Sequence, residues 1–332
     1  MTHFIGRKAI WHYLIQSYVV IVLLFVAGEL PSAEEQADSS LLTIKRIFVS
    51  REFRTERFGH ARWLKDGSGY TTLEDSEAQA GGKDIVRYDP QTGSREIMVS
   101  STRLMPKGGS ESLKIDDYSW SEDGKRLLIF TNSKRVWRTN TRGDYWVLDL
   151  TSWKLQKLGG DAKPSTLMFA KFSPDRRRVA YVRGKNLYVQ NLKNLRITQL
   201  TGDASDTIIN GTSDWVYEEE FHLRDGFRWS PNGKRIAYWQ FDTEGVRTFH
   251  LINNTDSLYP KVIPIQYPKV GETNPACRIG VISFHGGETR WFDVSDDPRN
   301  HYIPKMDWAE NSRTIVFQHL NRLQNRNEVM LG

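Results

Sequence analysis

Cys277 is the one cysteine among 332 residues, so no disulfide can close within the chain and a disulfide-stapled fold is excluded. The sequence also has no HExxH helix, no GxxxxGK loop and no cysteine pair, and His222, His250 and His285 stand apart from one another. Neither a metal nor a phosphate-cradling cofactor is therefore expected. GxSxG is missing as well; Gly211, Thr212 and Ser213 approach it without the closing glycine. No serine nucleophile on a sharp strand-to-helix turn is encoded here. Charge is close to balanced, with 46 basic against 40 acidic residues and a net charge of +6. The basic residues are spread along the chain rather than gathered in a stripe, which argues against nucleic acid as a partner. The run Arg176, Arg177, Arg178 reads as a solvated turn rather than a phosphate clamp.

What is present points to a folded, exported protein. A hydrophobic share of 39% with 12% aromatics is enough to build a core, and it excludes general disorder. Long apolar runs are confined to the start: Arg7 and Lys8 precede residues 9–27, which carry no formal charge. That order matches a secretory leader, with Val26 and Gly28 small enough for a cut after Gly28. If uncut, the segment is near the ~20 residues needed to span a bilayer and would anchor the chain. Residues 1–28 are thus expected to be a signal peptide or membrane anchor, and 29–40 a polar linker. The remainder is placed outside the cytoplasm, in the periplasm or extracellular space, free or tethered.

From residue 41 onward a phrase recurs: an aromatic residue, a polar turn, then a short apolar strand. It runs Trp63 to Gly67, Trp120 to Gly124, Phe172 to Asp175, Trp229 to Gly233 and, weakened, Trp308 to Asn311, with the aromatics 57, 52, 57 and 79 residues apart. Asp or Asn followed by Gly supplies the positive φ of a tight hairpin turn. Strands follow at Leu127 to Phe130, Val179 to Val182, Ile236 to Trp239 and Thr314 to Phe317. Third and fourth strands are legible after several of these. The fold class is therefore all-β: a β-propeller of four-stranded blades, about five in number, favoured over a β-sandwich because the turn phrase repeats at this spacing. The 79-residue gap holds Pro260, Pro264, Pro268 and Pro275 and is read as a hairpin excursion with an edge-like strand, not an extra blade.

The second break in the pattern is DWVYEEEF, Asp214 to Phe221. By itself the run Glu218, Glu219, Glu220 suits the first turn of a helix, whose positive end favours carboxylates. In a partly desolvated cavity the same side chains would bind an ammonium strongly, since the attraction grows as water is excluded. DWVYEEEF, with RDGFRWSPNGKRIAYWQFD from Arg224, YPKVIPIQYPKVGETNP from Tyr259 and VWRTNTRGDYWVLDL from Val136, resembles the double-glutamate region of dipeptidyl peptidase IV and its bacterial relatives, serine peptidases of the prolyl oligopeptidase clan.

The resemblance implies an eight-bladed propeller capping an α/β-hydrolase domain, with residues 41–332 as part of that propeller and the catalytic domain and triad missing from this sequence. It further implies that Glu219 and Glu220 grip the free N-terminus of a peptide substrate and that Arg138, after Trp137, holds a substrate carbonyl oxygen. Release of X-Pro or X-Ala dipeptides would then need a hydrolase domain supplied separately. Five units of an eight-unit closure would leave an open arc, so a stabilising partner or a nonstandard closure is expected. Two other readings stay open at this point: a noncatalytic peptide- or protein-binding propeller, and a fragment without function of its own.

Overall fold

Turn chemistry, repeated along the chain, is what shapes this fold. In the second, third and fourth repeats, buried Ser121, Ser173 and Ser230 donate their hydroxyls to Asp123, Asp175 and Asn232 at 2.7, 2.5 and 2.9 Å. The same carboxylate or amide oxygen accepts the backbone N–H of Lys125, Arg177 or Lys234, two residues on. The chain then needs one residue at positive φ. Gly124 and Gly233 supply it at 66°, whereas in the third repeat Arg176 is held there at 60°, at a steric cost of about 1 kcal/mol.

The computed structural model describes residues 40–50, 52–55, 59, 61–294 and 297–332. The leader or anchor at residues 9–27 lies outside them, and among the described residues no helix is long and apolar enough to cross a membrane. The chain divides into residues 1–58 and 59–332. In the first unit a π-helical turn, Lys45–Val49, is followed by an ion pair of Arg46 with Glu52 at 2.5 Å.

The second unit is built of antiparallel sheets. β1 (Arg62–Trp63), β2 (Tyr70–Asp75), β3 (Lys83–Tyr88) and β4 (Arg95–Val99) form a four-stranded meander. The next contains β5 (Asp117–Trp120), β6 (Arg126–Val136), β7 (Thr139–Asp149) and β8 (Lys154–Lys157). The third holds β9 (Leu167–Phe172), β10 (Arg178–Arg183), β11 (Asn186–Asn191) and β12 (Ile197–Gln199). A short β7 to β9 pairing at Arg142 and Gly143 joins these two meanders. The fourth combines β13 (Ile208–Asn210), β14 (Phe227–Trp229), β15 (Arg235–Asp242), β18 (Ala276–Ser283) and β19 (Arg290–Trp291). Between β15 and β18, the strands β16 (Thr248–Asn253) and β17 (Lys261–Gln266) pair only with each other, the hairpin excursion expected from the prolines. The last sheet has β20 (His301–Tyr302), β21 (Met306–Trp308), β22 (Ile315–Asn321) and β23 (Asn327–Leu331).

These five sheets are the blades of a β-propeller, and the core lies between them. Four apolar clusters join consecutive blades. The first contains Ile85, Leu104 and Leu127, the second Leu128, Leu167 and Tyr181, the third Val182, Phe227 and Ile236, and the fourth Trp239, Ile279 and Phe317. The repeated aromatic has a specific task in this stacking. The indole N–H of Trp120 donates to Thr71 Oγ1 at 3.1 Å, that of Trp229 to the Lys171 carbonyl at 3.4 Å, and that of Trp308 to the Arg228 carbonyl at 3.2 Å. Each tryptophan thus clasps the preceding blade. Phe172, without a donor, relies on packing alone.

Between β13 and β14 the chain leaves the sheet to form the helix α1 (Trp215–Phe221). Tyr217, fully buried in the fourth cluster among Phe221, Phe241 and Tyr302, accepts the Ile303 N–H at 3.0 Å and so fastens α1 to the fifth blade. Tyr217→Phe would keep the packing and orphan that buried N–H; we expect a loss of about 1–3 kcal/mol in urea unfolding. An unchanged midpoint would show that the hydroxyl is not the fastening.

Candidate functional site

The loop carrying α1 is pinched at its neck. Gly226 donates to the Gly211 carbonyl at 3.0 Å, and Thr212 forms an isolated bridge with Asp225. A Cβ on Gly226 would lie 2.7 Å from the Gly211 carbonyl carbon, so only glycine allows the two backbones this close. Below the neck Lys171 of β9 holds Asp225, with Nζ at 2.5 and 2.6 Å from the two carboxylate oxygens and 2.6 Å from the Phe227 carbonyl. Burial draws this ammonium down to about 8 even though Asp225 opposes the shift. The loop is therefore fixed at its base on two blades.

Asp214 caps α1, its Oδ1 accepting the Tyr217 N–H at 3.1 Å. At the other end His222 adopts φ 54° and the Leu223 N–H returns to the Tyr217 carbonyl at 3.0 Å, which stops the helix after seven residues. With Val216 and Tyr217 pointing into the core, the next three side chains fan out by about 100° each. Glu218 is 4% exposed and faces Arg224, with Oε1 at 3.4 Å from Nε but outside hydrogen-bonding geometry. Desolvation raises its carboxyl above the usual range, Arg224 opposing and Glu219 adding to the shift. Glu219, with 15% of its side chain exposed, accepts a hydrogen bond from Arg138 Nε. Glu220 is exposed and makes no ion pair or hydrogen bond among the described residues.

Arg138 reaches Glu219 because β6 and β7 are eleven residues each and extend beyond their blade as an arm. Val136 pairs with Thr139 across a two-residue turn, in which Trp137 takes φ 50° and its carbonyl accepts Arg135 Nε at 2.9 Å. The arginine itself is 69% exposed, held at the tip by Glu219 across 81 residues of sequence. The sequence pattern shows a strand at Leu127 to Phe130 and a third strand after it. The polar stretch between them shows no alternation, so the arm was not legible. Arg224 was missed as the partner of the first glutamate; its signal was the RD pair that follows the motif.

Of the three residues singled out in the sequence, Arg138 and Glu219 are brought into contact, while Glu220 stands beside them in solvent. Next to this pair lies a cavity of about 490 Å³, walled by Trp137, Met168, Phe169 and Pro264 and by the carboxylates of Asp214 and Glu218. Trp215 packs on Tyr267 at 4.1 Å between ring centroids, which ties α1 to the base of the β16–β17 hairpin. The arm, α1 and that hairpin thus converge on one largely apolar hollow, lined also by the acids Asp214 and Glu218 and the cations Arg142 and Lys185. No group of three or more metal-ligating side chains occurs among the described residues.

Residues 121–332 match the family described as the dipeptidyl peptidase IV (DPP IV) N-terminal region. The chain belongs to that family. It is 32% identical to dipeptidyl aminopeptidase B of Saccharomyces cerevisiae over 213 residues, 62% of this chain and 25% of the yeast protein. Over 300 residues it is 27% identical to a probable dipeptidyl peptidase 4 of Trichophyton verrucosum, covering 88% of this chain and 38% of the relative. The crystal structure of Porphyromonas gingivalis dipeptidyl peptidase 4 superimposes with a TM-score of 0.77 at 26% identity, over 87% of this chain and 40% of that one. The chain therefore spans between a quarter and two-fifths of these relatives' lengths. All of the arm and α1 falls inside the matched region.

Desolvation lifts the Asp214 carboxyl from the ordinary aspartate range to about 6, against the pull of the Tyr217 and Val216 N–H groups. The folded chain holds this proton where the unfolded chain releases it, so the stability it contributes is complete below about pH 4 and is lost as pH rises through 6. Asp214→Asn keeps the cap and cannot ionise. Its urea midpoint should vary less than the wild type's between pH 4 and 6 and be equal or higher at pH 7; parallel profiles would contradict the assignment.

Proposed function

We propose that this chain is the substrate-orienting propeller of an exported dipeptidyl peptidase IV-like serine peptidase. Glu219 and Glu220 receive the free N-terminus of a peptide, and Arg138 receives a substrate carbonyl oxygen. The observation that carries this reading is the contact between Arg138, at the tip of the arm, and Glu219 on α1. Only Nε of the guanidinium is used in that contact, so both terminal NH₂ groups are free to donate to carbonyl oxygens. Glu219 is shielded enough for its charge to act through less than bulk water, and Glu220 adds acceptors from the open side. Together the two carboxylates can satisfy the three donors of an ammonium. A peptide anchored by its first nitrogen presents a fixed bond to the nucleophile, so N-terminal dipeptides are released, with selectivity for X-Pro or X-Ala set by a pocket in the hydrolase domain. The nucleophile itself belongs to an α/β-hydrolase domain outside this sequence. Export is supported by Arg7 and Lys8 ahead of the uncharged residues 9–27; on this reading the propeller works in the periplasm or outside the cell, released or anchored.

A second reading, a noncatalytic propeller that binds peptides, rests on the same Arg138 to Glu219 contact beside the cavity. Calorimetry with a short peptide bearing a free or an acetylated N-terminus tests what both readings share. The free form should bind at least about tenfold more tightly, equivalent to one charge-assisted contact, and equal affinities would remove the ammonium from the site. Complementation with a family hydrolase segment separates the two readings. Restored cleavage of a glycyl-prolyl chromogenic substrate, lowered at least about a hundredfold by Glu219→Ala or Glu220→Ala, is the expected result. Cleavage indifferent to both substitutions would refute their roles.

A further inference from the structure

The propeller carries a second crevice, of about 610 Å³, between the outer parts of the second and third blades. Arg126 at the start of β6, Lys154 and Gln156 of β8, Arg177 and Arg178 before and at the start of β10, and Lys193 after β11 line it. One carboxylate, Asp149, shares the lining, and it is already engaged. It accepts Arg126 Nε at 3.1 Å and the backbone N–H groups of Thr151 and Ser152 at 3.1 and 3.0 Å. Arg178 is likewise committed, to Asp175 at 2.7 Å, with its guanidinium 3.6 Å from the centre of the Phe284 ring.

The remaining groups have no such commitments. The side chains of Lys154, Arg177 and Lys193 are exposed and form no hydrogen bond or ion pair among the described residues. The Gln156 Nε2 amide is buried without an acceptor. The space is thus ringed by Lys154, Arg177 and Lys193 without partners, beside the committed Arg126 and Arg178. A volume of that size is on the order of 8–9 Å across, within the ~8–10 Å over which salt leaves charges unscreened. The cations therefore repel one another unless an anion sits among them. Every uncommitted polar side chain named here is a donor or a cation.

We propose that this crevice binds a small anion carrying two phosphate or sulfate groups. Arg177, Lys154 and Lys193 would supply both the charge and the donors. A tetrahedral oxyanion offers three or more acceptor oxygens to such a set, and the space exceeds what one group fills. The arginine run that reads in the sequence as a solvated turn is thereby divided. Arg176 pairs with Asp123 at 3.5 Å, Arg178 with Asp175, and Arg177 is left for the ligand. The proposal involves none of Arg138, Glu219 and Glu220 and stands apart from the peptide reading.

Titration of the full chain with inorganic pyrophosphate by calorimetry, at low and at physiological salt, tests it. Saturable binding is expected that weakens with salt, drops at least about tenfold in Arg177→Ala/Lys193→Ala, and raises the melting temperature of the wild type but not of that variant. Both side chains are exposed and uncommitted, so the unliganded variant should melt as the wild type does. Lys234→Ala/Lys261→Ala removes the same net charge elsewhere and should retain wild-type affinity. Equal weakening by the two double variants would overturn the proposal in favour of diffuse charge. Binding to vesicles containing phosphatidylglycerol with none to pyrophosphate would overturn it in favour of a lipid surface.

Discussion

Burial of Tyr217 is the constraint from which the site follows. Its ring occupies the core between the fourth and fifth blades and its hydroxyl takes the Ile303 N–H, so α1 cannot rotate about its own axis. Once that angle is set, helical geometry assigns the three following carboxylates to three environments. Glu218 goes to the interior wall opposite Arg224, Glu219 to the rim where the arm arrives, and Glu220 to solvent. A loop of the same sequence without this anchor would present three interchangeable surface charges.

The anchor works because the propeller beneath it is stacked from similar parts. Three of the blades close a turn with the same serine and aspartate or asparagine bonds, and each tryptophan that follows the pattern hands its indole N–H back to the preceding blade. Stability in such an array is carried by nearest-neighbour interfaces. Insertions between repeats then cost little in the core, which lets the arm, the α1 loop and the β16–β17 hairpin grow out from three places. Their meeting point beside a cavity of about 490 Å³ is a property of the stack, not of any one insertion.

Electrostatics on the two faces differ in kind. Around α1, acids are held in partly desolvated places and opposed by single arginines, so the balance at Glu219 and Glu218 is local and directional. Between the second and third blades the carboxylates are consumed by their own neighbours, while Lys154, Arg177 and Lys193 are left unpaired among the described residues. Near-neutral overall composition conceals both arrangements, since 46 basic and 40 acidic residues say nothing about which of them find partners.

The repeats were legible in the sequence because their cause is local. An aromatic residue, a turn with aspartate or asparagine, and an alternating strand are each specified within about ten residues, so blades and even the hairpin excursion at residues 248–266 could be anticipated. DWVYEEEF marked the site for the same reason, and VWRTNT marked Arg138. What the chain order could not reveal was the long arm, because Asn132 to Asn140 is polar apart from Val136 and Trp137 and carries no period-2 signal. Nor could it reveal which glutamate meets Arg138, which one is spent on Arg224, or which arginine of residues 176–178 stays uncommitted. Those outcomes depend on the rotation of one seven-residue helix and on the packing of one blade against the next, and distance through space, unlike turn chemistry, is settled only when the whole stack has formed.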